Sequence, residues 1–158
     1  MITLLDYGAG NVRSVINAIE SLGETVKIVC RAEDIVAAEK LVFPGVGAFG
    51  SMIHSLHEKK FVEPLKDYIN SNRPFLGICL GLQVLFEHSE EAPRLSGLGV
   101  IAGSVKRFDT ELSVPHIGWN GLKVKQASRL FAGLNGDEKF YFVHSYHVDV
   151  ADPSVILT

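Results

Sequence analysis

Apolar residues follow two different patterns along the chain, one in each half. In the first half, apolar runs of strand length alternate with stretches in which apolar residues recur every three or four positions, as in helices. Strands are predicted at 2–7, 25–30, 41–43 and 75–78. Helices are predicted at 12–22, 32–40, 51–57, 61–71 and 80–88. Strands that alternate with helices favour a mostly parallel sheet with helices packed against it.

After Gly97 the pattern changes to strands with little helix between them. These strands are predicted at 100–108, 114–119, 122–124 and 139–150. Successive strands without intervening helices favour antiparallel or mixed pairing. The predicted fold class is therefore α/β, with a mostly parallel sheet first and additional antiparallel strands in the C-terminal half.

Length and composition favour one soluble domain. The 158 residues are 47% hydrophobic, which suffices for one core but not for a second full domain. The net charge of -3 arises from 18 acidic and 15 basic residues, and no block of lysine and arginine indicates binding to nucleic acid or to an anionic membrane. The chain shows no signal sequence and no apolar stretch of about 20 residues. A single domain spanning 1–158 of a cytoplasmic protein is predicted.

The two cysteines, Cys30 and Cys79, are predicted to differ in role. Two are too few for a disulfide framework, and CxxC spacing is absent, so a reducing compartment is expected. Cys30 ends a predicted strand and is expected to be inert. Cys79 lies between Gly77 and Gly81 at a strand-to-helix turn, where the glycines relieve crowding and the helix start favours a thiolate. This pattern indicates a nucleophile, although a buried cysteine packed as a small hydrophobe also fits it.

A glycine-rich loop, "PGVGAFG" at 44–50, follows the third predicted strand. Ligands collect at this end of the strands in open parallel sheets. Four of the seven loop residues are Gly or Pro, so backbone N–H groups can approach a reacting carbonyl closely. Together with the N–H of Leu80, such a loop would form an oxyanion hole beside Cys79. The alternative is an ordinary glycine-rich turn.

Five segments in a fixed order carry a family resemblance. They are "DYGAGN" (6–11), "PGVGAFG" (44–50), "GICLGLQVLFEHSEE" (77–91), "PHIGWN" (115–120) and "YFVHSY" (141–146). In these segments the chain resembles the class I glutamine amidotransferases, and the last two point within that class to the glutaminases of imidazole glycerol phosphate synthases. The resemblance implies a flavodoxin-like, doubly wound domain that hydrolyses glutamine to glutamate in histidine biosynthesis. It also implies ammonia delivery to a (β/α)₈ cyclase, as a separate subunit or a fused domain, with no cofactor and no metal.

The resemblance also implies roles for individual residues. Cys79 attacks the glutamine side chain to form a thioester, and the N–H groups of Leu80 and of either Val46 or Gly47 hold the oxyanion. The residues expected to bind glutamine are Gln83, His144, Ser145 and Tyr146. The residues expected at the cyclase interface and the ammonia exit are Asn11, Trp119, Asn120 and Tyr141.

No candidate for the general base emerges from the histidines. In the family the base is a histidine followed two residues later by glutamate, and no such pair occurs after residue 100. His144 and His147, three apart in a predicted strand, would point to opposite faces, so at most one could approach Cys79. The expectation is a C-terminally incomplete amidotransferase domain, and residues 1–158 alone are expected to give no useful glutamine turnover.

Three other functions fit parts of the sequence. A module that docks the cyclase without hydrolysing glutamine would also lack the base. A flavodoxin-like binder using 8–11 as a phosphate loop is less favoured, because no GxGxxG or P-loop pattern is present. A third possibility is another enzyme with a cysteine at the same kind of turn, such as a peptidase-like relative.

Overall fold

A four-stranded parallel sheet forms the framework of the N-terminal half in the computed structural model, which describes residues 1–9 and 11–158. Its strands are β1 (Ile2–Leu5), β2 (Val26–Val29), β3 (Leu41–Gly45) and β4 (Phe75–Cys79). They lie in the order β2-β1-β3-β4. The strand order therefore changes direction between β1 and β3, and open parallel sheets bind ligands outside the carboxyl ends of the strands at such a point.

Helices connect these parallel strands, as the apolar spacing predicted. They are α1 (Val12–Ser21), α2 (Ala32–Ala37), α3 (Phe49–Glu58), α4 (Val62–Asn70) and α5 (Leu80–Gln83). The helix α3 shows how these helices pack against the sheet. Its buried residues recur at helical spacing and join the core that contains Phe43 of β3: Phe49, Met52, Ile53 and Leu56. No helix in the part of the chain that the structure describes has the length and apolarity needed to cross a bilayer.

Two helices end earlier than the sequence predicted. After Ala37 the chain becomes extended, and the Arg73 guanidinium donates to the carbonyls of Val36 and Ala38. The last helix ends at Gln83 because the next carbonyls are taken by a later segment: those of residues 84–87 accept N–H groups of residues 97–101. Both helices are therefore cut short by hydrogen bonds to distant parts of the chain.

The second half of the chain contains short strands in two further sheets, and its antiparallel character is confirmed. The strands are β5 (His88–Ser89), β6 (Gly103–Arg107), β7 (His116–Gly121), β8 (Lys139–His144) and β9 (Tyr146–Val150). One sheet has the order β5-β6-β9, with β6 and β9 antiparallel, and the other is the antiparallel pair of β7 and β8.

Two strand predictions in this half were wrong. Residues 122–124 form no strand, because the β7 ladder ends at Gly121, which faces Lys139. The predicted strand 139–150 is divided at Ser145, where the chain passes from the ladder with β7 to the ladder with β6. The Ser145 carbonyl accepts the N–H of Phe108, which follows β6. The segment 139–150 thus serves two different sheets.

Candidate functional site

Cys79 occupies a strained turn between β4 and α5. Its backbone has φ 54° and ψ -113°, a conformation that residues other than glycine rarely adopt, and the residue is exposed. Conformations of this kind cost about 1–3 kcal/mol and occur mainly where function requires them. A strained strand-to-helix turn that exposes a nucleophile is the recurring geometry of nucleophile elbows.

Three glycines make this turn possible. A Cβ on Gly81 would overlap the carbonyl oxygen of Phe43, and a Cβ on Gly77 would lie 2.8 Å from the carbonyl oxygen of Gly81. The third is Gly45 at the end of β3, where a Cβ would lie 2.6 Å from the Gly81 nitrogen. The predicted relief of crowding by Gly77 and Gly81 is confirmed, and Gly45, paired with Cys79 in the β3–β4 register, shares that role.

The glycine-rich loop lies beside this turn and is held at two points. The Tyr7 hydroxyl lies 3.2 Å from the Val46 carbonyl oxygen and 3.4 Å from the Val46 nitrogen. At the other end of the loop, the Phe49 N–H donates to the Glu91 carboxylate at 2.9 Å. Tyr7 and Glu91 lie in two of the segments that carry the resemblance, but neither was assigned a role from the sequence, because nothing in those segments indicates contacts with the loop.

The predicted oxyanion donors are not equivalent in this arrangement. The Val46 N–H is directed at the Tyr7 hydroxyl, so it is already used. Gly47 has φ +103°, and among the hydrogen bonds of the described residues none uses its N–H. Leu80 begins α5 directly after Cys79, with its side chain buried. In this conformation the Val46 N–H is occupied and the Gly47 N–H is not, and the assignment of either residue as the second oxyanion donor beside Leu80 stays a prediction.

The residues predicted to bind glutamine lie in two places. Gln83, the last residue of α5, is half-buried four positions after Cys79, which places it on the same side of that turn. The segment of His144, Ser145 and Tyr146 joins β8 to β9, and Tyr146 packs against the core cluster that contains Leu80. Glutamine binding by these residues stays a prediction.

The His144 ring is engaged at both nitrogens. Its Nδ1 lies 2.9 Å from the Tyr146 carbonyl oxygen, which can only accept, so this nitrogen carries a proton. Its Nε2 then accepts from Nδ1 of His116 at 3.0 Å, and Nε2 of His116 lies 2.7 Å from the Asn120 amide nitrogen. His144 consequently has no ring nitrogen left for the Cys79 thiol.

The expectation that His144 and His147 point to opposite faces of one strand was wrong in its premise. The strand is divided at Ser145, so the two histidines belong to different strands. Both rings pack on Phe108, with centroid distances of 4.9 Å for His144 and 5.0 Å for His147. Among residues 1–9 and 11–158, no hydrogen bond joins a histidine to Cys79.

An exposed apolar surface covers one face of the β7–β8 pair. Cross-strand partners in the register bring four large side chains to that face, each more than half exposed: Ile117, Trp119, Tyr141 and Val143. The Trp119 and Tyr141 rings meet edge to face at 5.3 Å. This surface is called the ladder face below.

Two residues predicted at the interface differ from Trp119 and Tyr141. Asn120 follows Trp119 in β7, so its side chain projects from the opposite face, and its amide contacts His116. Asn11 is exposed before α1 and makes no side-chain capping bond to that helix. The suggested phosphate loop 8–11 includes Gly10, which lies outside the described residues.

Comparison with known proteins gives a consistent family. Residues 3–157 match the family model of the "Glutamine amidotransferase class-I" domain. Subunit HisH of imidazole glycerol phosphate synthase from Rhodopirellula baltica is 49% identical over 158 residues, covering 99% of this chain and 77% of that protein. The chloroplastic hisHF protein of Arabidopsis thaliana is 51% identical over 154 residues, covering 96% of this chain and 26% of that protein.

A solved structure shares the fold. The crystal structure of a glutamine amidotransferase superimposes with a TM-score of 0.68 at 21% identity, covering 91% of this chain and 70% of that one. At this identity the likeness shows the α/β fold alone, and it agrees with the fold class that the sequence predicted.

Proposed function

The chain belongs to the class-I glutamine amidotransferase family, and we propose that it hydrolyses glutamine as the glutaminase component of an imidazole glycerol phosphate synthase. The observation that carries the catalytic assignment is the strained, glycine-supported turn that exposes Cys79. The products of this reaction are glutamate and ammonia, and the ammonia passes to the cyclase for histidine biosynthesis. Cytoplasmic location stays a prediction.

In the first half-reaction, the Cys79 sulfur attacks the side-chain amide carbon of glutamine. A C–S bond forms, and the carbonyl electron pair moves onto oxygen, where the N–H groups of Leu80 and of Val46 or Gly47 stabilise the negative charge. When this tetrahedral intermediate collapses, the C–N bond breaks and the nitrogen, which takes up the proton that the Cys79 thiol gave up, leaves as ammonia. A thioester on Cys79 remains.

In the second half-reaction, water replaces the sulfur. Water attacks the thioester carbon, and the same two N–H groups hold the second oxyanion. The C–S bond then breaks to release glutamate, and the proton lost by the water restores the Cys79 thiol. Removing one such donor typically lowers turnover about 10²–10³-fold. The orientation of the N–H groups in the glycine-rich loop therefore strongly affects the rate. His144 is not proposed as the base, because both of its ring nitrogens are engaged.

The ladder face is the surface that we propose for the cyclase. Large apolar side chains of this kind are costly to leave in water, and aromatic residues are enriched where protein interfaces contribute most binding energy. Trp119 and Tyr141 lie in contact on this face, which supports the interface role that the resemblance implies.

Replacing Trp119 by alanine in the full-length native glutaminase is expected to weaken cyclase binding about 30-fold, because Trp119 is 67% exposed in the free chain and would be buried by the partner. Titration calorimetry of glutaminase into cyclase measures the dissociation constant. The matched control is Leu22→Ala, which removes a side chain 83% exposed at the far end of α1. Equal affinities of the Trp119 variant and the unmodified protein would contradict the proposed interface.

The same preparations test the proposed function itself. The complex with liganded cyclase is supplied with glutamine and no added ammonia. It should release glutamate and form the cyclase product at the same time, because ammonia then comes only from glutamine. A complex that binds tightly but releases no glutamate would favour the alternative of a docking module.

A further inference from the structure

A series of three hydrogen bonds lies on the face of the β7–β8 pair opposite the ladder face. The Asn120 amide nitrogen lies 2.7 Å from Nε2 of His116, and Nδ1 of His116 lies 3.0 Å from Nε2 of His144. Nδ1 of His144 in turn lies 2.9 Å from the carbonyl oxygen of Tyr146. These four groups are called the histidine network below. The network begins on β7, crosses to β8 and ends at the first residue of β9.

The direction of donation in the histidine network is fixed at both ends. The Tyr146 carbonyl oxygen can only accept, so His144 carries its proton on Nδ1 and accepts at Nε2. The Asn120 amide nitrogen can only donate, so His116 accepts at Nε2 and donates from Nδ1. The two assignments meet at the bond between the histidines, where one nitrogen donates and the other accepts. Both neutral rings therefore hold their proton on Nδ1.

Aromatic packing confines the His116 ring in this arrangement. The half-buried ring stacks on Phe142 at 5.3 Å and meets Phe108 edge to face at 6.5 Å. These neighbours limit rotation of the ring, so its Nδ1 stays directed at His144. A neutral imidazole can carry its proton on either nitrogen, and the hydrogen bond made at one nitrogen decides which. Donation from His116 to Nε2 thus keeps the His144 proton on Nδ1.

The last bond of the network holds the turn between β8 and β9. Phe108 donates its N–H to the Ser145 carbonyl, so the next pair in this antiparallel register, Arg107 and Tyr146, directs its backbone groups away from the partner strand. Because β9 is at the edge of its sheet, the outward Tyr146 carbonyl is bound by the His144 ring and not by another strand. A proton on Nε2 instead of Nδ1 would set two acceptors against each other and break this bond.

We infer that His116 is a positioning residue for the segment 144–146: by donating to Nε2 of His144, it maintains the bond that holds the Tyr146 carbonyl. The inference rests on the proposed function, in which this segment binds glutamine. His116 contacts neither glutamine nor Cys79 in this role. It acts through His144 on the shape of the segment, and so on the affinity for glutamine more than on the chemical step.

Two variants of His116 separate its hydrogen bond from its packing. His116→Phe keeps an aromatic ring beside Phe142 but cannot donate to His144. His116→Asn loses the ring, but its amide N–H can take the place of Nδ1 and donate to the same acceptor. A role in packing alone would favour the phenylalanine variant, whereas the positioning role favours the asparagine variant.

His147→Gln is the matched control. The His147 ring also packs on Phe108, at 5.0 Å, and is also half-buried. Its Nδ1 lies 3.3 Å from the Val148 carbonyl oxygen, so it takes no part in the histidine network. This variant therefore removes an imidazole from the same aromatic cluster without changing the bonds of His144.

For the full-length glutaminase with saturating liganded cyclase, His116→Phe is expected to raise the KM for glutamine about fivefold and to change kcat less than about twofold, because one hydrogen bond that shapes the binding segment is lost. His116→Asn should return KM to within about twofold of the unmodified protein, and His147→Gln should change neither constant. An unchanged KM in His116→Phe, no recovery in His116→Asn, or an equal rise in His147→Gln would overturn the inference.

A spectroscopic measurement tests the network without turnover. In the full-length protein with ¹⁵N-labelled histidine at pH 8, His144 should show the ¹⁵N shift of a protonated nitrogen at Nδ1 and that of an unprotonated nitrogen at Nε2. In His116→Phe the two shifts should move towards each other, because the proton then divides between both nitrogens. His116→Asn and His147→Gln should keep the original pattern. The original pattern in His116→Phe would refute the inference.

Glutamine binding in the Cys79→Ala background separates this inference from the proposed function. Titration calorimetry of the complex with glutamine should give a dissociation constant about fivefold higher when His116→Phe is added. Equal affinities, or no measurable binding of glutamine, would overturn the inference. If affinity and the ¹⁵N pattern both change as expected but the unmodified complex releases no glutamate, the proposed function is wrong and the positioning role stands.

Discussion

Replacing Cys79 by alanine is expected to reduce glutamate release by the cyclase complex by about 10⁴-fold or more, because loss of a nucleophile removes the whole covalent pathway. The side chain is exposed at a turn that the backbone maintains, so the shorter alanine should leave the fold and the cyclase affinity unchanged. Glutamate release with liganded cyclase measures the first quantity, and titration calorimetry measures the second.

Cys30→Ala is the matched control for this variant. The sequence predicted Cys30 to end a strand, but β2 ends at Val29 and Cys30 is exposed, like Cys79. Exposure alone therefore cannot distinguish the two thiols, and any selectivity must come from binding of a glutamine-like electrophile beside Cys79. After treatment with a limiting dose of this electrophile, mass spectrometry should find the label on Cys79. Preferential labelling of Cys30, or glutaminase activity that survives in Cys79→Ala, would contradict the assignment.

The second large effect is expected from Gly81→Ala. The new methyl group would overlap the Phe43 carbonyl oxygen, and because that atom belongs to the backbone of a buried strand, no rotamer change can relieve the overlap. The free energy of unfolding should fall by about 3 kcal/mol. The melting temperature should fall by roughly 10 °C, and glutaminase activity should be lost because the turn at Cys79 is displaced.

Gly121→Ala provides the comparison for this measurement. Gly121 ends β7, and a Cβ there would meet only the Lys139 amine at 3.4 Å and the Glu138 carbonyl oxygen at 3.9 Å. Thermal unfolding followed by circular dichroism should place this variant within about 0.5 kcal/mol of the unmodified protein, as for most surface substitutions. If Gly81→Ala were equally mild, the proposed close packing of β3, β4 and α5 would be wrong.

Much of the fold was predictable because its signals are local. Apolar runs and helical spacing indicated the parallel sheet and the helices between its strands, and the change of pattern after Gly97 indicated the antiparallel half. The turn at Cys79 was equally accessible, since the cysteine and its two flanking glycines lie within five residues. The family membership follows from the same short segments, each of which keeps its residues in sequence order.

Contacts between distant segments were decided only by the tertiary structure. The early end of α5 depends on carbonyls bonded to residues 97–101, and the division of 139–150 depends on two separate ladders. The contact between Tyr7 and Val46 spans 39 positions, and no pattern around either residue announces it. Periodicity reports which face of an element is buried, whereas the partner of a backbone group depends on how the elements pack. The sequence by itself therefore determined the succession of strands and helices in the first half, the family and the position of Cys79. Packing decided where individual helices and strands end and which N–H group of the glycine-rich loop is occupied, because both depend on backbone partners that are distant in the sequence.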